Sequence, residues 1–304
     1  MYSYTMAQWL FIFYFYCFFG WCFESSYVSI KNRHPVNRGF MRGPFLPLYG
    51  SGAVMMLIVS MPFQHNLLLT YIAGCIGATA LEYVTGVAME ALFKVRYWDY
   101  SNQKFNFQGH ICLSSTLAWG GLTILMTRVV HKPVEEAVLA IPEGILGAVT
   151  LVLTIVIVAD FTLSFKAAID LRDILVKMEA ARMELERMQK RLDVIIALSN
   201  EEREVKKQER SQRADELMED MEERLSHLNE RIQNGVSSYS DSIKEEIQDL
   251  RMKYRMNVEN RIQLRNMKDF YRRQLLKGNP SMVSRRFRDT LQELKEAADE
   301  RIKK

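Results

Sequence analysis

The chain has 304 residues, 40 Lys+Arg against 36 Asp+Glu, a formal net charge of +4 and four cysteines. Its mean hydropathy of -0.11 is that of an ordinary soluble protein, but the charges are unevenly spread: residues 1–164 hold 9 basic and 8 acidic side chains, and residues 165–304 hold 31 and 28. That asymmetry excludes a uniform soluble domain and implies a membrane-like first half followed by a charged helical tail.

Five apolar runs follow one another in the first half, near residues 7–30, 44–61, 67–93, 111–130 and 145–165. Roughly 20 helical residues cross a hydrocarbon core, so the runs predict about five membrane spans in a domain covering residues 1–165. The first run, the aromatic-rich WLFIFYFYCFFGWCF, has no basic leader and no small-residue cleavage site, and predicts a retained helix. Lys31, Arg33, Arg38 and Arg42 follow the first span and Lys94, Arg96 and Lys104 the third, whereas the loop after the second is uncharged and that after the fourth has only Arg128 and Lys132. The positive-inside bias predicts a multi-pass protein of the plasma membrane, N-terminus outside and tail in the cytoplasm. Cys17, Cys22, Cys75 and Cys112 lie in or beside spans without metal-ligand spacing, so buried thiols are expected, and neither a disulfide nor a metal site.

Glu24, Glu82, Glu90 and Asp160 fall inside spans, where an ionised carboxylate costs about 2.5–3.5 kcal/mol even on insertion scales. They are expected to face the bundle interior or water. Glu82, Gly86 and Glu90 recur every four residues and share one helix face, with the glycine leaving room for a neighbour or a ligand. Glu24 and Glu90 either line a polar cavity or pair with Arg38, Arg42 or Arg96. Glu82 is roughly three turns from the nearest basic loop residue, so an ion, a proton or a neighbouring helix must answer it.

Two loops complete the candidate site. In NRHPVNRGFMRGPFLPLYGSG, Arg38 and Arg42 sit among glycines, placed to answer the acids or to bind phosphate. In WDYSNQKFNFQGHICL, Trp98 and Tyr100 are expected at the membrane interface while Asp99, Ser101 and Asn106 turn inward, as a partly re-entrant lid over an acidic cavity. The histidines are scattered, His110 is expected to be structural, and Glu82 and Glu90, about 12 Å apart along a helix axis, are too distant to share a proton. No catalytic residue, cofactor or enzyme activity is predicted.

In this order and spacing, NRGFMRGPFLPLYG, LEYVTGVAMEALF, YWDYSNQKFNFQGHICL and SSTLAWG resemble the ABC-transporter type IV family, also called the CmpB family, over about residues 7–165. The resemblance implies a membrane protein of the kind named ABC transporter permease. It carries over Asn37, Arg38, Gly39, Gly43, Pro44, Glu82, Gly86, Trp98, Asp99, Tyr100, Ser101 and Gly109 as core positions, without an established ligand. The chain has no G-x-x-x-x-G-K-[ST] phosphate loop, so ATP-driven work implies a separate ATPase subunit. An EAA-type coupling loop is also missing: MEALF begins like one and does not continue.

Residues 166–304 read as a cytoplasmic helical coiled-coil region. Leu171, Ile174, Met178, Ala181, Leu185, Met188, Leu192 and Ile195 form a heptad seam. It fades over residues 199–216 and resumes at Leu217, Met221, Leu225, Leu228 and Ile232. Asn234-Gly235 predicts a turn, Ile243, Ile247, Leu250, Tyr254 and Val258 a returning helix, and KGNPS at 277–281 a break. In such a fold-back the acids at 215–223 oppose Arg251, Lys253 and Arg255, and Tyr254, Val258, Ile262 and Phe270 want another partner, which a homo-oligomer supplies. Residues 251–288 hold 12 Lys+Arg against Glu259 and Asp269; pairing with the acidic arm is favoured over nucleic acid, for which no motif is present.

The expectation is therefore an all-α polytopic membrane protein, transport-related, with an acid-lined cavity open to the cytoplasm at Glu24, Glu82, Glu90 and Asp99 that handles a cationic or polar solute. Membrane lipid, a homo-oligomer through the coiled coil and a separate ATPase are its expected partners. The alternative is a non-transporting anchor or sensor whose coiled coil scaffolds a cytoplasmic complex.

Overall fold

The computed structural model describes residues 4–198, 214–233, 241–266 and 269–300. The expected turn at Asn234-Gly235 and most of the stretch 199–216 lie outside them.

The described chain is helical almost throughout. In order it comprises α1 (Met6–Asn32), α2 (Pro47–Ser60) with a 3-10 turn over Met61–Phe63, α3 (Leu67–Phe93), α4 (Leu113–Leu125), a π-helical turn over Met126–Val130, and α5 (His131–Leu139). There follow α6 (Glu143–Leu198), α7 (Ala214–Gln233), α8 (Asp241–Arg265), α9 (Phe270–Gly278) and α10 (Arg288–Glu300). Two short strands, β1 (Asn106–Phe107) and β2 (Ile111–Cys112), pair antiparallel in the loop before α4.

A helix covers each of the five apolar runs. By length and composition four stretches among the described residues can cross a membrane: Met6–Asn32, Leu67–Phe93, Leu113–Leu139 and part of Glu143–Ile195. The second run makes the shorter apolar helix Pro47–Phe63, because prolines bound it. Pro47 lacks an N–H to extend the helix backwards, and Pro62 falls in the closing 3-10 turn.

Local sequence sets the other helix ends. Thr5 and Gln8 form a capping box at the start of α1, and the Asn66 side chain accepts the Leu69 N–H at the start of α3. Arg33 and Lys94 close α1 and α3 in the left-handed region, at φ 57° and 60°. Small residues let the helices approach closely. A Cβ on Gly50 would lie 2.6 Å from the Phe13 carbonyl oxygen of α1, and one on Gly120 would lie 2.6 Å from Cys75 Sγ of α3.

The chain divides into two compact units, one of Met1–Arg172 with Lys268–Arg286 and Ala298–Lys304, the other of Asp173–Met267 with Phe287–Ala297. The first holds all five apolar runs. Its core joins Ile12 and Tyr16 of α1, Ala53, Met56 and Leu57 of α2, Ala78 of α3, and Met126, Val138 and Leu146. Large apolar side chains such as Phe23, Leu68, Ile76 and Leu151 point outward, as contact with lipid requires.

In the second unit the predicted seam is buried. Leu185, Met188, Leu192 and Ile195 of α6 pack with Met221, Leu225 and Leu228 of α7 and Ile247, Leu250 and Tyr254 of α8. Gln189 bonds Asp220 and Asp193 pairs with Arg224, so α7 runs beside α6 in the same direction. Asn257 bonds Glu184 and Arg191 pairs with Glu246, so α8 runs against it. In place of the favoured two-arm fold-back the described helices form a three-helix arrangement: α7 packs beside α6, and Tyr254 and Val258 pack in that core. Lys253 pairs with Asp249 one turn away, and Ile262 stays 63% exposed.

Candidate functional site at the loop ends of the spans

The ends of α1 and α3 and the starts of α2 and α4 are joined by two loops, residues 33–46 and 94–112, which carry most of the predicted site. The first loop is tied to its neighbours through polar atoms. Ser25 Oγ accepts the Arg38 N–H at 3.1 Å, Trp21 Nε1 donates to Asn37 Oδ1 at 2.6 Å, and Asp160 Oδ2 of α6 accepts the Gly43 N–H at 2.8 Å. Asp160 therefore anchors a glycine turn. Gly39, at φ 128°, occupies a conformation other residues avoid.

The second loop is built on Asp99 and Asn106. Asp99 Oδ1 accepts the Ser101 N–H at 3.0 Å and the Ser101 hydroxyl at 2.5 Å, an Asx-type turn. Asn106 Oδ1 accepts the Gly109 N–H at 3.1 Å while its Nδ2 donates to the Gln103 carbonyl at 2.8 Å. Asn106 and Ser101 are exposed and neither turns inward: Asn106 bonds its own loop, while Ser101 bonds Asp99 and accepts from Arg285 Nη2. Trp98 Nε1 donates to the His110 carbonyl at 3.0 Å, and a Cβ on Gly86 would lie 2.9 Å from His110 Nδ1 and 3.3 Å from Trp98. The absent side chain at Gly86 thus admits the loop itself.

Each acid has a distinct setting. Glu24 takes Arg38 Nε at 3.4 Å on one oxygen and the Tyr49 hydroxyl at 2.8 Å on the other. Glu90 Oε2 takes Arg96 Nη2 at 2.7 Å and His110 Nε2 at 3.1 Å. Arg96 is 4% exposed and also donates to the Gln108 carbonyl at 2.9 Å and approaches Asp99 Oδ1 at 3.5 Å. Burial opposes the charged form of Asp99, but the Ser101 bonds and the Arg96 and Arg285 guanidiniums outweigh it and hold the acid below its ordinary range. Burial, together with Arg96, pushes His110 below the usual imidazole value, so it meets Glu90 as a neutral ring near pH 7.

Glu82 differs from the other three. It is 6% exposed, and its described partners are neutral donors: the Tyr100 hydroxyl at 2.9 Å on Oε1, and Trp119 Nε1 at 3.0 Å and Ser115 Oγ at 3.3 Å on Oε2. Next to it, Cys112 Sγ lies 3.1 Å from Ser114 Oγ. Burial raises that thiol, but the Ser114 and Ser115 bonds prevail and bring it below the ordinary value. The four cysteines are free thiols, and among the described residues no group of three His, Cys, Asp or Glu could hold a metal ion.

The predicted residues are thus gathered in pairs rather than around one space: Glu24 with Arg38, Glu82 with Tyr100, Glu90 and Asp99 through Arg96, Gly86 under Trp98. Arg42 meets none of the acids among its described contacts and lies over the Phe270 ring, 4.2 Å from its centroid. Sequence reasoning missed Ser115 and Trp119 as partners of Glu82, although SSTLAWG had been singled out, and it treated Arg96 only as a counter-ion. It also missed residues 278–285. Asn279, 1% exposed, donates to the Gly39 carbonyl and accepts from Arg38 Nη1, both at 2.9 Å. KGNPS signalled a helix break and gave no sign of what it would touch.

Fold and site together define an all-α, multi-pass membrane protein with carboxylates inside its spans. A model of the family described as "Putative ABC-transporter type IV" (ABC_trans_CmpB) matches residues 11–165, and the chain belongs to that family, a transport-related membrane protein. Searches of curated proteins and of solved structures gave no match.

Proposed function

We propose that Glu82 is the charge-binding centre of a transport path and that it takes a cationic or polar solute, or a proton moving with one. The observation that carries this is its coordination. Glu24, Glu90 and Asp99 are each answered by an arginine, whereas Glu82 is answered among the described residues by two hydroxyls and an indole N–H. Three neutral donors position the carboxylate and bring no opposite charge to it, so a cation or a proton is the partner that would complete the site. Tyr100 closes this site from the loop side, in the manner of a lid. The basic residues of the loops 33–46 and 94–112 support a cytoplasmic orientation of this face. No residue is given a catalytic role, and ATP-driven work requires a separate ATPase subunit. The test is thermal unfolding of the detergent-purified protein with rubidium, choline and spermidine as probes. Stabilisation by one of them that vanishes in Glu82→Gln supports the reading; equal responses of the two proteins to all three count against it.

A second reading, a membrane anchor or sensor whose helical tail assembles a complex or homo-oligomer, is favoured by the arginine pairing of the other acids, which leaves them structural. Its mark is an oligomer in detergent that Ile262→Asp, at an exposed apolar position of α8, disperses while the spans and the tail core stay folded.

A further inference from the structure

Residues 278–285 lie beyond the family match at 11–165, yet they belong to the same compact unit as the spans. Their described partners in the loops 33–46 and 94–108 fall inside the matched stretch. The contacts are those of a recognised peptide. Arg38 Nη1 donates to the Gly278 carbonyl at 3.2 Å, and Arg38 Nη2 to Ser281 Oγ at 3.1 Å. Val283 exchanges both backbone bonds with Arg96, at 2.7 and 2.9 Å, as an added strand would. Ser284 Oγ donates to the Lys94 carbonyl at 2.7 Å, and Arg285 Nη2 to Ser101 Oγ at 3.1 Å. Met282 is 1% exposed and supplies an apolar anchor between these polar contacts.

Two arginines serve both this segment and the membrane acids. The Arg38 guanidinium turns Nε to Glu24 and both Nη atoms to the segment. Arg96 gives its side chain to Glu90 and its backbone to Val283. Because a guanidinium is a rigid plane, its two sets of bonds are positioned together.

We propose that residues 278–285 are a displaceable strap, a built-in peptide ligand of the family core, and that the Arg38 guanidinium couples its docking to Glu24. A cation that takes Glu24 from Arg38 loosens the strap, and by reciprocity a detached strap changes the affinity of Glu24 for that cation. The occupant is the chain's own segment, and the loops accept the same sequence supplied separately.

Hydrogen exchange read by mass spectrometry on the full-length protein tests this. In the wild type the amides of Arg96 and Val283 exchange slowly. Asn279→Ala should speed both by about tenfold or more, the scale of losing bonds worth about 1.4 kcal/mol, while amides inside α1 and α3 stay as they were. Ser284→Ala, a milder change, should speed both by a smaller factor. Glu24→Gln should speed exchange at 281–285 without touching a strap residue. A synthetic peptide of residues 269–287, in excess, should restore slow exchange at Arg96 in Asn279→Ala. Unchanged strap exchange in Asn279→Ala and Ser284→Ala, faster exchange throughout the spans, or no restoration by peptide overturns the strap. An unchanged strap in Glu24→Gln overturns the coupling.

Discussion

The hydroxyl of Tyr100 meets Oε1 of Glu82 at 2.9 Å, so a loop residue reaches a carboxylate roughly three turns back from the end of α3. The bond fixes the loop over the site and replaces one of the hydration bonds that a buried carboxylate gives up. Tyr100→Phe removes the donor and keeps the ring. It is expected to lower stability by about 1–3 kcal/mol, the cost of leaving a buried acceptor short, read as a drop in Tm. Trp119→Phe, which removes the donor on Oε2, should act in the same direction.

Arg96→Met strips Glu90 of its guanidinium and leaves the Gln108 carbonyl without its donor. Removing one partner of a buried pair costs about 3–5 kcal/mol; the low end is expected here because the Glu90 side chain is 28% exposed. Arg96→Met combined with Glu90→Gln should recover part of the loss, since the isolated charge is then gone.

His110 gives the protein a pH dependence of defined sign. Its folded value lies below the ordinary imidazole value of 6.5, so above that pH the neutral ring is present in both states and its contribution to stability is complete. As pH falls below 6.5 the unfolded chain binds the proton first, and stability is lost until the lowered folded value is passed. Thermal unfolding between pH 8 and 5 should show this decline, and His110→Gln should flatten it. Asp99, also lowered, adds loss only at more acidic pH, below the ordinary aspartate range.

Gly109 stands at φ 75°, and a Cβ there would lie 2.7 Å from Arg96 Nη1 and 2.8 Å from Asp99 Oδ1. Gly109→Ala is expected to cost about 1–3 kcal/mol through backbone strain and to disturb the Arg96 pairs, visible as faster exchange at the 96–110 amides. Gly121→Ala, in open space, is the matched control and should change little.

Much of this was legible because lipid imposes strong rules on sequence. Apolar length marked the helices of the five apolar runs, and the in-span acids stood out because their burial needs an explanation. Glu24 with Arg38 and Glu90 with Arg96 had been weighed as ion pairs from spacing alone. What could not be read was long-range partnership. Trp119 and Ser115 lie more than thirty residues from Glu82 in sequence, and an indole or hydroxyl has no charge pattern to betray its target. Asn279 docks on Gly39 across 240 residues, and a Gly-Asn-Pro break is the same signal whether it faces solvent or a receptor. The inward-turned Asn106 and Ser101 failed for a local reason: short polar side chains next to turns are satisfied first by their own backbone.

The most direct test of the central claim is uptake of rubidium, choline and spermidine into proteoliposomes containing the full-length protein. Expected is uptake of at least one of the three that falls to the level of empty liposomes in Glu82→Gln while Tyr100→Phe retains a reduced rate. Uptake identical in wild type and Glu82→Gln for every one of them would contradict the assignment of Glu82 as the charge-binding centre.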